Sequence, residues 1–431
     1  MLATIGSAAG LGNIWRFSYV AGENGGAAFL LIYVVGVALI GVPLLLGEFS
    51  IGRRGQADAV TSFATVTPNR RWGLAGWLLA VAAFVLLSYY AVIAGWAYKY
   101  FAGYLIGDVS NAARGGFASY FNSFVADPIE PVLWQLLVVA STVAVVMVGV
   151  RHGIERVNKI LMPLLGVIVV MLAAYGLTLD GASAGLAFLF RPDWSALAHP
   201  PVYFAAAGQA FFSLGIGAGA LLTYGSYTPA GQKLAPAALT VVAGDTLFAI
   251  IAGVAIFPAV FAFGLDPAHG PKLAFVTLPE VFNVMPGGRA VAIAFFALLG
   301  LAALTSAVSL LEVPSAVLMR KFRWSRSKSA LFIGVAVFAA GVPSALGYGV
   351  LDGVTLFGLG ILEGIDRIAS NIVLPIGGML IAICVGWVWS RTDALQTMDL
   401  QDGWIARAWL FLLRYLSPLL ILLMLLGLVT E

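Results

Sequence analysis

The first hydrophobic segment contains residues that a continuous membrane helix does not favour. Gly6, Gly10 and Gly12 are followed by the polar Asn13 and the charged Arg16, and each glycine weakens a helix by about 1 kcal/mol relative to alanine. Backbone groups freed by a break at membrane depth must contact protein, water or a bound ligand. Freed carbonyls can coordinate a cation, and amides at the start of the next half-helix can bind an anion. This chemistry fits sodium together with a zwitterionic amino acid.

Small residues also let two membrane helices pack closely. When the glycines are considered alone, this interpretation remains open. Asn13 and Arg16 count against that interpretation. A dinucleotide-binding loop is excluded, because no predicted strand precedes the glycines. A similar interruption recurs at residues 211–219, which read FFSLGIGAG within another apolar segment.

The composition is that of a polytopic membrane protein. Hydrophobic residues make up 61% of the 431 residues and charged residues only 10%, and the mean hydropathy is +0.99, which soluble globular chains do not need. We expect eleven membrane-spanning helices and no soluble domain. Spans 1 to 11, in chain order, are expected near residues 2–21, 27–49, 73–106, 131–149, 159–179, 201–227, 235–264, 289–319, 328–349, 366–390 and 404–429.

Basic residues are sorted between the loops that join these spans. If the N-terminus is cytoplasmic, the inside loops carry most of the lysines and arginines, whereas the outside loops carry only Arg114, Arg191, Lys272 and Arg289. The positive-inside rule therefore places the N-terminus in the cytoplasm and, with an odd number of spans, the C-terminus outside. No Asn-x-Ser/Thr acceptor occurs, which favours a bacterial inner (plasma) membrane.

The two interrupted segments each open a set of five spans. Paired interrupted helices at matching positions of two halves are the best sequence pointer to a transporter site. Because five is odd, the halves must have opposite orientations in the membrane. We expect a first repeat over residues 1–180, an inverted second repeat over 201–390 and an additional helix over 391–431.

Four stretches of the chain resemble a known family. They read GLGNIWRF at 10–17, ENGGAAFLLIY at 23–33, GQAFFSLGIGAGALLTYGSY at 208–227 and LTSAVSLLE at 304–312. In this order they resemble the neurotransmitter:sodium symporter family, in its bacterial branch of eleven-span amino-acid transporters. The resemblance implies an all-α polytopic fold with eleven transmembrane helices, the LeuT-type 5+5 inverted repeat with broken helices 1 and 6. It also implies sodium-coupled symport by alternating access.

The resemblance further implies two sodium ions, each held by hard oxygen ligands. For the first ion these are the substrate carboxylate, Ala8, Asn13, Ser213 and Asp245. For the second ion they are Gly6, Ala9, Ala302, Thr305 and Ser306. From the residues alone, the hydroxyls of Thr305 and Ser306 could instead bond back to carbonyls of their own helix.

The expected substrate is a neutral L-amino acid that brings its own carboxylate, because Gly10 stands where monoamine-transporting relatives carry an aspartate. Gly215 and Ala218 stand where many relatives have larger residues, which favours a roomy apolar pocket and a bulky hydrophobic or aromatic side chain. By resemblance Tyr90 binds the carboxylate and Phe212 forms the lid. The expected substrate contacts are Ser7, Ala8, Leu11, Gly12, Leu86, Tyr90, Phe212, Ser213, Gly215, Ala218, Ser306 and Leu310.

Asp245 leads to a specific prediction about chloride. A carboxylate buried in the membrane is costly and is functional by default. By resemblance, Asp245 replaces the charge that chloride supplies in animal members of the family, so transport should be chloride-independent.

Arg16 and Asp366 match the family's extracellular gate pair.

Two features depart from the family pattern. The chain begins almost at the break in span 1, whereas relatives usually have about a dozen or more residues before it. Arg320 stands where relatives carry an aspartate that pairs with an N-terminal arginine. The usual inner gate is therefore not expected to form.

These departures leave a second hypothesis open, a sensor with the same sodium and amino-acid site but without transport. An enzyme is not expected, because His152, His199 and His269 fall in loops and no nucleophile and base pair is apparent in the spans. The expected partners are the amino acid, sodium ions and membrane lipid, without nucleic acid. The sequence does not fix the oligomeric state.

Overall fold

Apolar segments of this length fold as helices, because a helix satisfies its own backbone hydrogen bonds within the bilayer. The structure, a computed structural model, describes residues 10–109, 115–149, 153–191, 193–228, 233–268 and 270–430. Side chains are described at all of these positions except 153–159, 161 and 428–430. Within these ranges the chain is almost entirely helical. The described β structure is one antiparallel hairpin, Thr355–Leu356 with Leu359–Gly360.

Eight helical segments in the described part are long and apolar enough to cross a membrane. They are Ala27–Gly55, Arg70–Ile106, Glu130–Val148, Leu234–Ala262, Gly288–Phe322, Arg326–Ala345, Ile361–Val388 and Trp404–Gly427. In order they correspond to the expected spans 2, 3, 4, 7, 8, 9, 10 and 11. Span 5 is the helix Gly153–Gly176, span 6 is interrupted, and span 1 is described from Gly10 onward.

The predicted interruption of span 6 is present, and the described part of span 1 begins within its predicted break. The described part of span 1 begins at Gly10, whose backbone is not helical (φ −177°, ψ −133°), and continues as Leu11–Ile14 and Arg16–Glu23. Span 6 consists of Pro200–Leu214 and Ala220–Ser226. Between its halves Gly217 has φ +82°, and a Cβ there would lie 2.3 Å from the carbonyl oxygen of Leu374. Only glycine fits this approach to span 10.

Spans 2, 10 and 11 each contain π-helical turns, which commonly occur at functional positions. In span 2 the turn Val37–Gly41 joins Ala27–Gly36 to Val42–Gly55. Span 10 contains Ile361–Ile368, the turn Ala369–Val373, Leu374–Ile383 and the turn Cys384–Val388. Span 11 contains Trp404–Phe411, the turn Leu412–Leu416 and Ser417–Thr430.

Short helices lie between the spans or lead into them. They are Ala59–Val66, Arg70–Trp72, Phe117–Ala126, Ala182–Phe190, Trp194–Ala198, Gly270–Lys272, Leu273–Val284 and Arg391–Thr397. Arg70–Trp72 leads directly into Gly73–Ile106, the main helix of span 3. Spans 3 and 8 have 34 and 35 residues in their main helices and pack against each other along their length. The helices next to both breaks contact span 8, so the broken backbone lies in the protein interior.

Candidate functional site

A largely apolar cavity lies beside the break in span 6, between spans 1, 3, 6 and 8. Its lining contains ten of the expected substrate contacts: Leu11, Gly12, Leu86, Tyr90, Phe212, Ser213, Gly215, Ala218, Ser306 and Leu310. The other two, Ser7 and Ala8, lie outside the described residues. The structure adds lining residues that sequence reasoning missed, Leu214, Ala220, Leu221, Tyr224 and Ser309. Leu221 and Tyr224 are three residues apart on one helix face, so their spacing offered a signal.

Glycine and phenylalanine shape the two ends of this cavity. Gly215 has φ +64°, and a Cβ there would meet no atom within 4 Å. A Cβ at Gly12 would instead lie 2.6 Å from Cε1 of Phe212, so the Phe212 ring lies directly on span 1. Phe212 is 7% exposed, and the Arg16 guanidinium lies 4.9 Å from its ring centre. The ring therefore separates the cavity from Arg16.

Asp245 of span 7 is the centre of a buried polar cluster that contains three of the four residues predicted for the first sodium. Its carboxylate accepts hydrogen bonds from Ser213 Oγ at 2.6 Å and from Asn13 Nδ2 at 2.8 Å. The Asn13 amide also donates to the Asp245 carbonyl at 2.9 Å, and Tyr33 lies 3.5 Å from the carboxylate. Ala8, the fourth predicted ligand, lies outside the described residues. The cluster thus joins spans 1, 2, 6 and 7.

Three of the five residues predicted for the second sodium, Ala302, Thr305 and Ser306, lie on one face of span 8, opposite the start of span 1. Ala302 faces Gly10, where a Cβ would lie 3.6 Å from the Ala302 Cβ. Thr305 Oγ1 and Ser306 Oγ donate to the Ala302 carbonyl at 2.8 and 3.3 Å. This is the back-bonding alternative, in which Thr305 donates its hydroxyl proton and its oxygen keeps lone pairs that can coordinate a cation. Gly6 and Ala9 lie outside the described residues.

Arg16 and Asp366 form a buried ion pair on the side of Phe212 that faces away from the cavity. Arg16 Nε donates to both carboxylate oxygens of Asp366 at 3.0 Å, and each side chain is 4% exposed. Arg16 Nη1 donates to Gln209 Oε1 at 2.7 Å. Desolvated charged pairs of this kind are stable only when further hydrogen bonds satisfy them.

Three hydroxyl groups complete that pair. Tyr19 and Tyr89 donate to the Asp366 carboxylate at 2.6 and 2.8 Å, and Ser370 donates at 3.0 Å. Sequence reasoning missed these residues. Tyr19 lies three residues after Arg16 and Ser370 four after Asp366, the spacings that share a helix face, whereas Tyr89 comes from span 3 and had no such signal.

Glu48 of span 2 holds the broken backbone of span 6. Its carboxylate accepts from the backbone amides of Gly217 at 2.9 Å and Leu222 at 3.3 Å, and its side chain is fully buried. These amides would otherwise lack partners inside the membrane. Glu48 therefore supports the break and does not line the cavity.

A second group of charged contacts surrounds Glu312 and Arg320 at the end of span 8. Glu312 accepts from Arg326 Nη1 at 2.7 Å and from Tyr227 at 3.3 Å, and its side chain is 4% exposed. These contacts join spans 6, 8 and 9. Arg320 lies 3.6 Å from Asp58, in the connection between spans 2 and 3.

Comparison with known proteins decides the family. The model of the sodium:neurotransmitter symporter family matches residues 1–110 and 126–431. The chain belongs to this family. It is 39% identical to the sodium-dependent transporter YhdH of Bacillus subtilis over 434 residues, which cover 100% of this chain and 96% of that protein. A sodium-dependent transporter of Haemophilus influenzae is 32% identical, with 98% of this chain and 94% of that protein covered.

A solved structure of the family has nearly the same fold. The crystal structure of MhsT in complex with L-phenylalanine superposes with a TM-score of 0.96 at 54% sequence identity, covering 99% of this chain and 97% of that chain. The predicted family and the LeuT-type fold are therefore confirmed. The protein is a sodium-dependent membrane transporter and not an enzyme.

Proposed function

We propose that the protein is a symporter that imports a neutral, bulky hydrophobic or aromatic L-amino acid together with sodium, independently of chloride. The observation that carries this proposal is the position of the Asp245 cluster beside the apolar cavity, because Ser213 belongs to both. A carboxylate group bound at Ser213 would lie next to a sodium ion held by Asn13 and Asp245. Substrate and ion would then stabilise each other electrostatically in a site of low dielectric constant.

The lining of the cavity supports a large apolar side chain as the substrate group. Leu86 and Leu310 provide apolar walls, and the space beside Gly215 is open. Gly10 supplies no charge for an amine. MhsT, whose structure contains L-phenylalanine, shares 54% of its residues with this chain, which supports the same substrate class here.

The membrane arrangement belongs to the same proposal. The repeats 1–180 and 201–390 would be inverted, with 391–431 as an additional helix in a bacterial inner membrane and the N-terminus inside. Arg16 and Asp366 would then close the outer side over Phe212. Spans 1, 2, 6 and 7 would move against the remaining spans, with the two sodium ions bound near the middle of the membrane.

A binding experiment tests the substrate class. The purified chain should bind labelled L-phenylalanine in sodium but not in potassium, and unlabelled tyrosine, tryptophan and leucine should compete better than glycine or lysine. Gly215→Leu and Gly215→Ala carry the same positive φ, but only leucine fills the open space. Leucine should therefore reduce phenylalanine affinity about tenfold or more relative to the alanine variant, the effect of about 1.4 kcal/mol. Equal affinities in the two variants would contradict the proposed position of the substrate side chain.

The sensor is the second candidate, and it rests on Arg320, which replaces the aspartate of the usual inner gate. A sensor would bind sodium and amino acid without net flux. Binding data alone cannot separate it from a transporter, whereas accumulation in vesicles does.

A further inference from the structure

The ends of spans 10 and 11 form a notch that contains an arginine within the membrane. Arg414 lies ten residues after Trp404, the first residue of span 11, which is about 15 Å along the helix. Its Nε donates to the carbonyl oxygen of Gly386, in the last π turn of span 10. In return, Trp387 Nε1 donates to the Arg414 carbonyl at 3.1 Å. A Cβ at Gly386 would lie 3.0 Å from Arg414 Cγ, so the glycine makes room for the arginine stem.

The protein satisfies only a small part of this guanidinium. Arginine has five N–H donors, and the bond from Nε to Gly386 is the one hydrogen bond that the Arg414 side chain makes among the described residues. No carboxylate of the described chain pairs with it. A cation at this depth is costly unless it reaches an anion or water, and Arg414 is partly exposed at the protein surface.

The surface around the notch is basic and aromatic. Trp404 is 77% exposed, Phe411 56% and Tyr415 51%, and the exposed Arg407 lies on the same side of the helix. Trp387, which is 58% exposed, packs edge-on against Tyr415 with ring centroids 5.5 Å apart. Beyond Tyr415 the exposed residues of span 11 are leucines: Leu419, Leu422, Leu423 and Leu426. Aromatic side chains of this kind are enriched at the membrane interface, and the leucines mark the level of acyl chains. Arg414 lies at the boundary between the two, from which its long side chain can extend toward the headgroups.

We propose that this notch, formed by Trp387, Arg407, Arg414 and Tyr415, binds the phosphate group of an anionic phospholipid. Arg414 and Arg407 lie about two helical turns apart and donate to the phosphodiester and to the headgroup next to it. Trp387 and Tyr415 contact the upper part of the acyl chains. The anion supplies the acceptors that Arg414 lacks. Under the proposed orientation this lipid lies in the cytoplasmic leaflet, where basic pockets between spans bind anionic headgroups.

Native mass spectrometry of the delipidated full chain tests this site. Phosphatidylglycerol should bind more tightly than phosphatidylcholine in titrations of each lipid. Arg407→Gln and Arg414→Gln should each weaken phosphatidylglycerol binding about fivefold, since each arginine near the surface contributes about 1 kcal/mol. Arg414→Lys, which keeps the charge but loses the planar fork, should fall between Arg414→Gln and the unchanged protein. Arg70→Gln is the matched control, because Arg70 is exposed and lies on the cytoplasmic side under the proposed orientation, but outside the notch, so it should leave binding unchanged.

Three results would contradict a phospholipid bound in this notch. An equal loss in Arg70→Gln, or no loss in Arg407→Gln, would overturn the site. Displacement by inorganic phosphate as effective as that by phosphatidylglycerol would identify a free-anion site and also overturn the lipid assignment. If Arg414→Gln does not fold, Arg407→Gln still decides the result. Neither arginine lies in the transport site, so the test is independent of sodium and amino-acid binding.

Discussion

Asp245 is the residue on which the proposed ion chemistry depends. It is fully buried, and its carboxylate contacts Asn13 and Ser213, the other described ligands proposed for the first sodium. Asp245→Asn keeps the size of the side chain and removes its charge. We expect uptake by this variant to depend on chloride. Its uptake rate in gluconate should be roughly a tenth or less of its uptake rate in chloride. The measurement is sodium-driven uptake in the two anions.

A second buried carboxylate provides the control for this variant. Glu48 is as buried as Asp245 but binds backbone amides of span 6. Glu48→Gln should lower uptake in both anions to the same extent. It weakens the hydrogen bonds that hold the broken backbone of span 6, but it removes no charge from the sodium site. Equal activity of Asp245→Asn in chloride and gluconate would argue against the proposed role.

At this scale ten of the predicted substrate contacts also line the cavity, because the motifs that contain them are local and fixed in spacing. Leu86, Phe212 and Leu310 line the cavity, and their contact with a substrate stays a prediction. Tyr89 could not be found from sequence, because its contact with Asp366 depends on how span 3 packs against span 10. Contacts between distant segments follow from tertiary packing, which periodicity does not encode.

In the proposed mechanism, Glu312 of the static span 8 contacts both Tyr227 of the moving span 6 and Arg326 of the static span 9. Glu312 pairs with Arg326 in a largely buried contact, whereas Arg320, 59% exposed in its side chain, pairs with Asp58 at 3.6 Å. Breaking a buried pair leaves an uncompensated charge, while exposed pairs contribute little. Glu312→Gln should therefore reduce uptake about tenfold, and Arg320→Gln less than twofold, in the same vesicle assay.

Binding measurements show whether the Glu312 effect concerns the transport cycle or the fold. A folded Glu312→Gln protein should keep sodium-dependent binding in detergent while its uptake falls. A larger loss of uptake in Arg320→Gln than in Glu312→Gln would mean that the Asp58 contact, and not Glu312, holds this side closed.

The elements themselves were largely predictable, and the irregular turns within them were not. Glycine-rich stretches marked both breaks, because glycine weakens helices and tolerates positive φ at positions such as Gly217. The π turn Cys384–Val388 has no such signal, since its residues are compatible with an ordinary helix. Its extra residue is accommodated by packing against span 11, including the Arg414 contact with Gly386.

For the whole molecule, the proposed orientation makes opposite predictions for two loops. Cys384 is the one cysteine and is buried, so Cys384→Ser provides a background for single-cysteine labelling. Ser123→Cys, between spans 3 and 4, should react with a membrane-impermeant thiol reagent in intact cells. Gln401→Cys, between spans 10 and 11, should react only after the membrane is opened. Both positions are exposed in the structure, so the reverse pattern would mean that the N-terminus is outside.

Uptake of labelled L-phenylalanine into proteoliposomes tests the central claim most directly. An inward sodium gradient should drive accumulation above the external concentration, potassium in its place should not, and an inside-negative potential should increase uptake, because each charge that crosses 100 mV gains about 2.3 kcal/mol. Replacing chloride by gluconate should leave the rate unchanged. Sodium-dependent binding without accumulation would contradict symport and identify the protein as a sensor.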